Sequence, residues 1–305
     1  MRIGINGGAA TVDGMVDQAV EAERDGFASL WFPGAVGGDP LVAMALAGRA
    51  TTHIELGTSV LQTYSCHPAL QAHRAGAVAA AMGRPGFTLG VGPSHGPVIE
   101  GSYGMPYDHP GRHTEEYVTI LGGLLRGEAV AFDGEDLHLH TFAPPAPPVH
   151  PVPVLVAALG PRLLRVAGSL ADGTILWMAN ARAVESHVAP RVRGAADAAG
   201  RPAPRIVAGL PVAVHDDERE ARAAAAEQFA VYGTLPNYQR ILEHGGVTGP
   251  AEAAVVGDEA AVRSQIEALF EAGATDVWAS PFPVGEDRRR SRRRTRTLLA
   301  ELASA

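Results

Sequence analysis

Two spacings alternate along this chain. Short apolar runs at 2–6, 27–32, 54–60, 87–91, 152–157, 173–178, 205–214 and 276–280 are rich in Val, Ile, Leu and aromatic residues. They read as strands buried on both faces. Between them the apolar residues recur every three or four positions, as at Val12, Met15, Val16, Ala19 and Val20. That spacing predicts helices over 12–24, 40–50, 69–81, 110–125, 161–170, 181–199, 216–232, 237–244, 258–272 and 286–303. Gly26 reads as a helix stop, and Asp39-Pro40 as an N-cap followed by a first-turn proline. Pro190 is expected to kink or split its helix. Eight strands separated by helices imply a parallel sheet, and the expected fold is α/β: a (β/α)8 TIM barrel with short insertions, in one domain over 1–305. A doubly wound open sheet is the competitor, disfavoured because no early dinucleotide fingerprint occurs.

Two segments interrupt the pattern. Alternating residues around Asp133-Gly134 predict a hairpin with a DG turn, inside an insertion at about 128–151. Six prolines between Pro144 and Pro153 make a stiff connector. The second segment, about 232–255, is expected to be a substrate lid or a dimer element.

Composition narrows the function. Hydrophobic residues are 46 % and charged residues 19 % of 305, as in a globular domain. The net charge of −8 argues against a nucleic-acid partner. Cys66 is the single cysteine, so no internal disulfide or cysteine-rich metal site is available. The N-terminus enters a strand at once and no apolar run approaches membrane-spanning length, so a cytoplasmic protein without a membrane partner is expected. The Ala-rich, Lys-poor composition concerns codon usage rather than function.

Barrel chemistry sits in the loops that follow the strands. After the third strand come Ser59, Val60 and a polar stretch through Tyr64, Cys66 and His67, before Pro68 opens a helix. After the fourth comes Gly90-Val91-Gly92-Pro93-Ser94-His95-Gly96. Its spacing is wrong for a dinucleotide loop, but Ser94, His95 and Gly96 offer consecutive amides as a phosphate nest. After the fifth comes Ala157-Ala158-Leu159-Gly160-Pro161-Arg162, whose first helical turn presents free amides beside an arginine. Trp31-Phe32-Pro33 and Trp177-Met178 end the second and sixth strands.

The run Gly57-Thr58-Ser59-Val60-Leu61 resembles the third strand of F420-dependent sugar-phosphate dehydrogenases, in the luciferase-like monooxygenase superfamily. The resemblance spans nearly the whole chain. It implies a cis Ser59–Val60 peptide whose bulge backs a bent deazaflavin ring. It also implies that the 157–162 turn, similar to an Ala-Ala-Gly-Gly-Pro loop, holds the cofactor phosphate. The cofactor set it implies is Ser59, Val60, Gly92, Ser94, His95, Ala158, Leu159, Gly160 and Trp177. Those dehydrogenases place a catalytic glutamate where this chain has His95. The change argues against glucose 6-phosphate and makes His95 the candidate proton donor, or else a residue that only lines the pocket. Many F420-dependent relatives have a polar pair where this chain has Pro33-Gly34-Ala35, which removes an expected contact. Tyr64 and His67 are candidates to face the substrate, and Met178 to serve the core.

No metal site is expected. His138 and His140 share a hairpin face without a third ligand, and His109 and His113 lack an HExxH pattern. The arginines of 288–296 read as a solvated helix face paired with acids such as Glu286 and Asp287. The expectation is an F420-dependent oxidoreductase acting on a small molecule, homodimeric as is usual in the family. The alternatives are an FMN monooxygenase served by a separate reductase, and a non-catalytic flavin-binding barrel.

Overall fold

The structure, a computed structural model, describes residues 1–34 and 38–304; the substitution noted at Ala35 lies outside them. Eight parallel strands close a barrel: Ile3–Asn6, Ser29–Phe32, Glu55–Thr58, Phe87–Gly92, Val154–Ala157, Gly173–Trp177, Arg205–Val214 and Asp276–Pro281. Each pairs with the next, and the eighth returns to the first through Ile3↔Val277 and Ile5↔Ala279. Closure removes the sheet edges. The expected fold is the one observed, and the open sheet is not.

The barrel interior is organised by tryptophan. Trp31 faces Gly57 in register, while Trp278 lies between Gly4 and Gly209. A Cβ at Gly57 would fall 2.2 Å from Trp31, and one at Gly209 would fall 2.1 Å from Trp278. Two indoles fit inside eight strands because their neighbours have no side chain. Leu155, Ile175 and Val207 complete this inner cluster, with Val60 and Trp177 resting on it. The larger core lies between strands and helices and contains Met15, Met44, Val78, Leu121 and Leu299.

At the opposite end, the first residues of strands three, seven and eight meet Arg2. Asp276 accepts from Arg2 at 2.8 Å and from Arg205 at 2.7 Å, and Arg205 also reaches Glu55 at 2.8 Å. Burial pushes the Asp276 carboxyl up, but Arg205, Thr275 and Arg2 outweigh it and hold it below the usual carboxylate value.

Three local expectations are corrected. The hairpin strands are Ala131–Asp133 and His138–His140, joined by four residues instead of a two-residue DG turn. The cause is Glu116, a buried carboxylate that accepts the backbone N–H of Glu135, Asp136 and Leu137 at 2.8–2.9 Å. A carboxylate taking three amides opens the tip beyond what the local sequence prefers. Val255–Gly257 is a further short strand, paired with the end of strand seven where the expected lid segment ends. The arginine-rich helix Arg288–Ser304 is paired differently from expectation: Arg294 with Asp216 and Glu259, and Arg296 with Asp25. Asp287 instead accepts the backbone N–H of Arg290.

Candidate active site

A cavity of about 620 Å³ opens at the C-terminal ends of the strands, the end where barrel sites form. Trp177 and Trp278 lie in its wall, stacked with centroids 5.0 Å apart. Ile175 and Val60 extend this apolar surface. Trp278 is fixed by its Nε1–H, which donates to the Leu176 carbonyl at 3.2 Å.

The chain at Val60 is shaped by a bulge. Leu56 pairs with Phe87, an offset of 31, whereas Leu61 pairs with Val91, an offset of 30, so strand three holds one extra residue. Within it the Ser59–Val60 peptide is cis. Thr58 bridges the broken ladder: its hydroxyl accepts the Gly90 N–H at 2.8 Å and donates to the Gly90 carbonyl at 2.7 Å. A Cβ on Gly90 would sit 2.0 Å from the Thr58 carbonyl, one on Gly92 3.0 Å from Val60 Cγ2, and one on Gly34 2.5 Å from the Val60 carbonyl. These glycines therefore serve the bulge. Gly92 supports Val60 from behind and is not among the residues lining the cavity.

Beyond Gly92, Ser94 adopts a positive φ of 64°, and the Tyr107 hydroxyl donates to its carbonyl at 2.7 Å. That turn brings His95 to the cavity, its ring 5.6 Å from that of Tyr238. Burial holds the His95 imidazole below the usual histidine value, and so neutral at pH 7. Among the described residues the backbone N–H groups of Ser94, His95 and Gly96 donate to no protein acceptor.

Across the opening, Ala157 to Leu163 line the cavity. Gly160 caps the helix Pro161–Ser169 without a side-chain hydrogen bond. The amides of Arg162 and Leu163 in its first turn remain available. Arg162 adds positive charge but also donates from Nε to Glu115 at 2.9 Å. The expected lid segment supplies a third wall through Leu235 and, on the helix Pro236–His244 that it caps, Pro236, Asn237, Tyr238 and Arg240. Those wall residues were not singled out from sequence, because nothing local says where a connecting helix docks.

Ser59, Val60, Ser94, His95, Ala158, Leu159, Gly160 and Trp177 thus share one cavity. Tyr64 and His67 are not in its lining. Tyr64 stacks on the buried His113 with centroids 4.0 Å apart, and touches the cavity through Tyr107 at 5.3 Å. His67 caps the helix Pro68–Met82, its Nδ1 accepting from Ala69 N–H at 3.2 Å. Met178 is fully buried, and Cys66 lies 3.8 Å from an Arg74 nitrogen. His138 and His140 are exposed on the hairpin, with His140 on Asp133. Among the described residues no three His, Cys, Asp or Glu side chains group as metal ligands. No described helix is long and apolar enough to cross a membrane.

A family model described as luciferase-like monooxygenase matches residues 2–276. The 5,10-methylenetetrahydromethanopterin reductase of Methanolobus tindarius is 26 % identical over 265 residues, covering 86 % of this chain and 79 % of its own. The coenzyme F420 dependent tetrahydromethanopterin reductase of Methanopyrus kandleri has a similar structure, with a TM-score of 0.79 and 20 % identity over 98 % of this chain and 97 % of that one. The oxygenating constituent of 3,6-diketocamphane monooxygenase from Pseudomonas putida, in complex with FMN, has a TM-score of 0.72 and 18 % identity over 99 % and 97 %. At these identities the two structures speak for the fold.

Proposed function

The chain belongs to the luciferase-like monooxygenase family, and on that premise we propose that it is a coenzyme F420-dependent oxidoreductase acting on a small organic substrate. An F420-dependent fold neighbour and a neighbour solved with FMN support an enzyme with a flavin-type cofactor. The choice of F420 over FMN follows the resemblance of Gly57-Thr58-Ser59-Val60-Leu61 to F420-dependent dehydrogenases. One observation carries the flavin-type reading: a single cavity joins an apolar indole wall to a turn of unused amides beside Arg162. That combination suits a flat ring with an anionic tail. The residues present fit such a group in one more respect. Ser59 Oγ and Trp177 Nε1, on two lining residues, have no hydrogen-bond partner among the described residues.

When bound, F420 supplies hydride chemistry at its C5. Val60 and the indoles would hold the ring, and the 157–163 turn its phosphate. His95 is the candidate catalytic residue. A neutral imidazole accepts a proton more readily than it gives one at pH 7, so it suits proton removal from a substrate hydroxyl as hydride departs. It serves the reverse direction at lower pH. The helix Pro236–His244 would act as a lid that excludes water. Exposed Val42 and Leu46 on one helix and Leu70 on the next offer an apolar face for a second copy of the chain; light scattering tests the homodimer.

Titration of F420 and of FMN into the protein, read by tryptophan fluorescence, tests the reading. All three tryptophans lie in or beneath the cavity wall, so a bound ring quenches them strongly. Tight F420 binding with reduction of F420 by an alcohol, or the reverse turnover, supports it. FMN binding without F420 binding overturns it in favour of the monooxygenase. Cofactor binding without turnover across a broad substrate panel favours the non-catalytic barrel.

A further inference from the structure

The helix expected over 181–199 is interrupted where Pro190 was expected to disturb it. Ala181–Ala183 passes into a wide π turn, Val184–Val188, before Ala189–Ala198 resumes. Ala189 N–H bonds to the Val184 carbonyl, five residues back. Pro190 has no N–H to offer the preceding turn. Nearby, the His187 carbonyl is taken up by Arg191 Nη1 at 2.8 Å. The π turn accommodates the proline and leaves His187 facing inward, 3 % exposed. Such turns are frequent at functional sites.

His187 meets both walls of the cavity. Its Nε2 lies 2.9 Å from the carbonyl of Leu159, in the turn with the unused amides. Its ring stacks on that of His244 with centroids 3.7 Å apart and 17° between planes. His244 is the last residue of the helix Pro236–His244, whose first residues line the cavity. The Asn180 side-chain amide holds the same helix end, donating to the Gly245 carbonyl at 3.1 Å.

We propose that His187 is a positioning residue that locks the 157–160 turn to the helix Pro236–His244, so that the two cavity walls move together and are released when His187 takes up a proton. This rests on the cofactor reading only for what the walls hold. The coupling itself belongs to the free protein.

The proton dependence follows from the contacts. With Nε2–H donating to Leu159, Nδ1 is the site left to protonate, and it is buried without a partner among the described residues. Burial holds His187 below the usual histidine value, with the nearby His244 and Arg191 charges acting in the same direction. The 157–160 turn and the sixth strand add no ionisable side chain. A neutral His187 therefore prevails at pH 7. Because the folded value is depressed, this stabilisation is present above the ordinary histidine value and is lost as pH falls through the folded one.

Amide hydrogen exchange on the full chain, corrected for intrinsic rates, tests the lock at pH 7.5 and in steps down to the onset of acid unfolding. His187→Phe keeps a ring but removes the donor. It should speed exchange about fivefold in both 157–164 and 236–244, the effect of one lost hydrogen bond. His187→Gln retains a donor and should restore the 157–164 segment alone. His244→Phe, at an exposed site, keeps a stacking ring, so protection in both 157–164 and 236–244 should stay at the wild-type level at pH 7.5. Loosening confined to 184–190 in His187→Phe, or wild-type protection in 157–164 and 236–244 unchanged down to the onset of acid unfolding, overturns the proposal. The F420 titration of the wild type separates the two claims. If F420 fails to bind, the cofactor reading falls while the exchange result still decides the lock. If it binds, His187→Phe should release it faster.

Discussion

Gly209→Ala tests how the barrel interior builds the cavity wall. Gly209 has ordinary strand geometry, so the substitution brings no backbone strain, only a methyl group. That methyl would lie 2.1 Å from Trp278 Nε1 and Cε2, where ordinary contact begins at 3.4 Å. The indole must therefore retreat by at least 3.4 − 2.1 = 1.3 Å. It can move only against Trp177 or into the cavity, and its hydrogen bond to Leu176 is lost on the way. Overpacking of this kind costs about 1–3 kcal/mol, and the lost bond about 1 kcal/mol more. Urea unfolding should show a lower midpoint at unchanged slope. A gap of about 1 Å forfeits up to half of a dispersion contact, so F420 binding should weaken by about tenfold. Gly57→Ala is the control. Its methyl would meet Trp31 at 2.2 Å, yet Trp31 does not line the cavity, so stability should fall while affinity stays. A Gly209→Ala protein with wild-type stability and affinity would refute the reasoning, as would equal loss of affinity in both variants.

Asp276→Asn, at the far end of the barrel, leaves Arg2 and Arg205 short of one carboxylate. Breaking a buried pair costs roughly 3 kcal/mol, reduced here because Arg205 keeps Glu55 and is partly exposed. The depressed Asp276 value adds stability that is present above the usual carboxylate value and lost as pH falls through the folded value. Acid unfolding should therefore be less steep in the variant, while cofactor binding is unchanged. His95→Gln should remove the acid limb from the pH profile of kcat/KM for alcohol oxidation; that limb should lie below the ordinary histidine value, since burial lowers it. Glu116→Gln removes a charged acceptor from three amides and should expose 134–137 to proteolysis, at a cost of about 2 kcal/mol.

Residue spacing alone determined the eight strands, the helices between them and hence the barrel, because a strand buried on both faces and a helix buried on one write different periods into the chain. The proline-opened turn at 157–162 was legible in the same way, as a local signal, while the bulge at Ser59-Val60 came only with the resemblance of Gly57–Leu61 to a known family. The resemblance puts Gly92 on the cofactor, whereas Gly90 and Gly92 both serve the bulge. Their requirement comes from Thr58 and Val60, some thirty positions away. Tyr64 and His67 belong to the right loop, but the stack on His113 and the helix cap fix where they point. The π turn was foreshadowed by Pro190, whereas the contacts of His187 with Leu159 and His244 join segments that share no pattern. Tertiary structure decided these features because a side chain's chemistry depends on what packs against it. Burial of His95, three amides converging on Glu116 and the indole that fills the space beside Gly209 are properties of distant residues brought together by closure of the barrel.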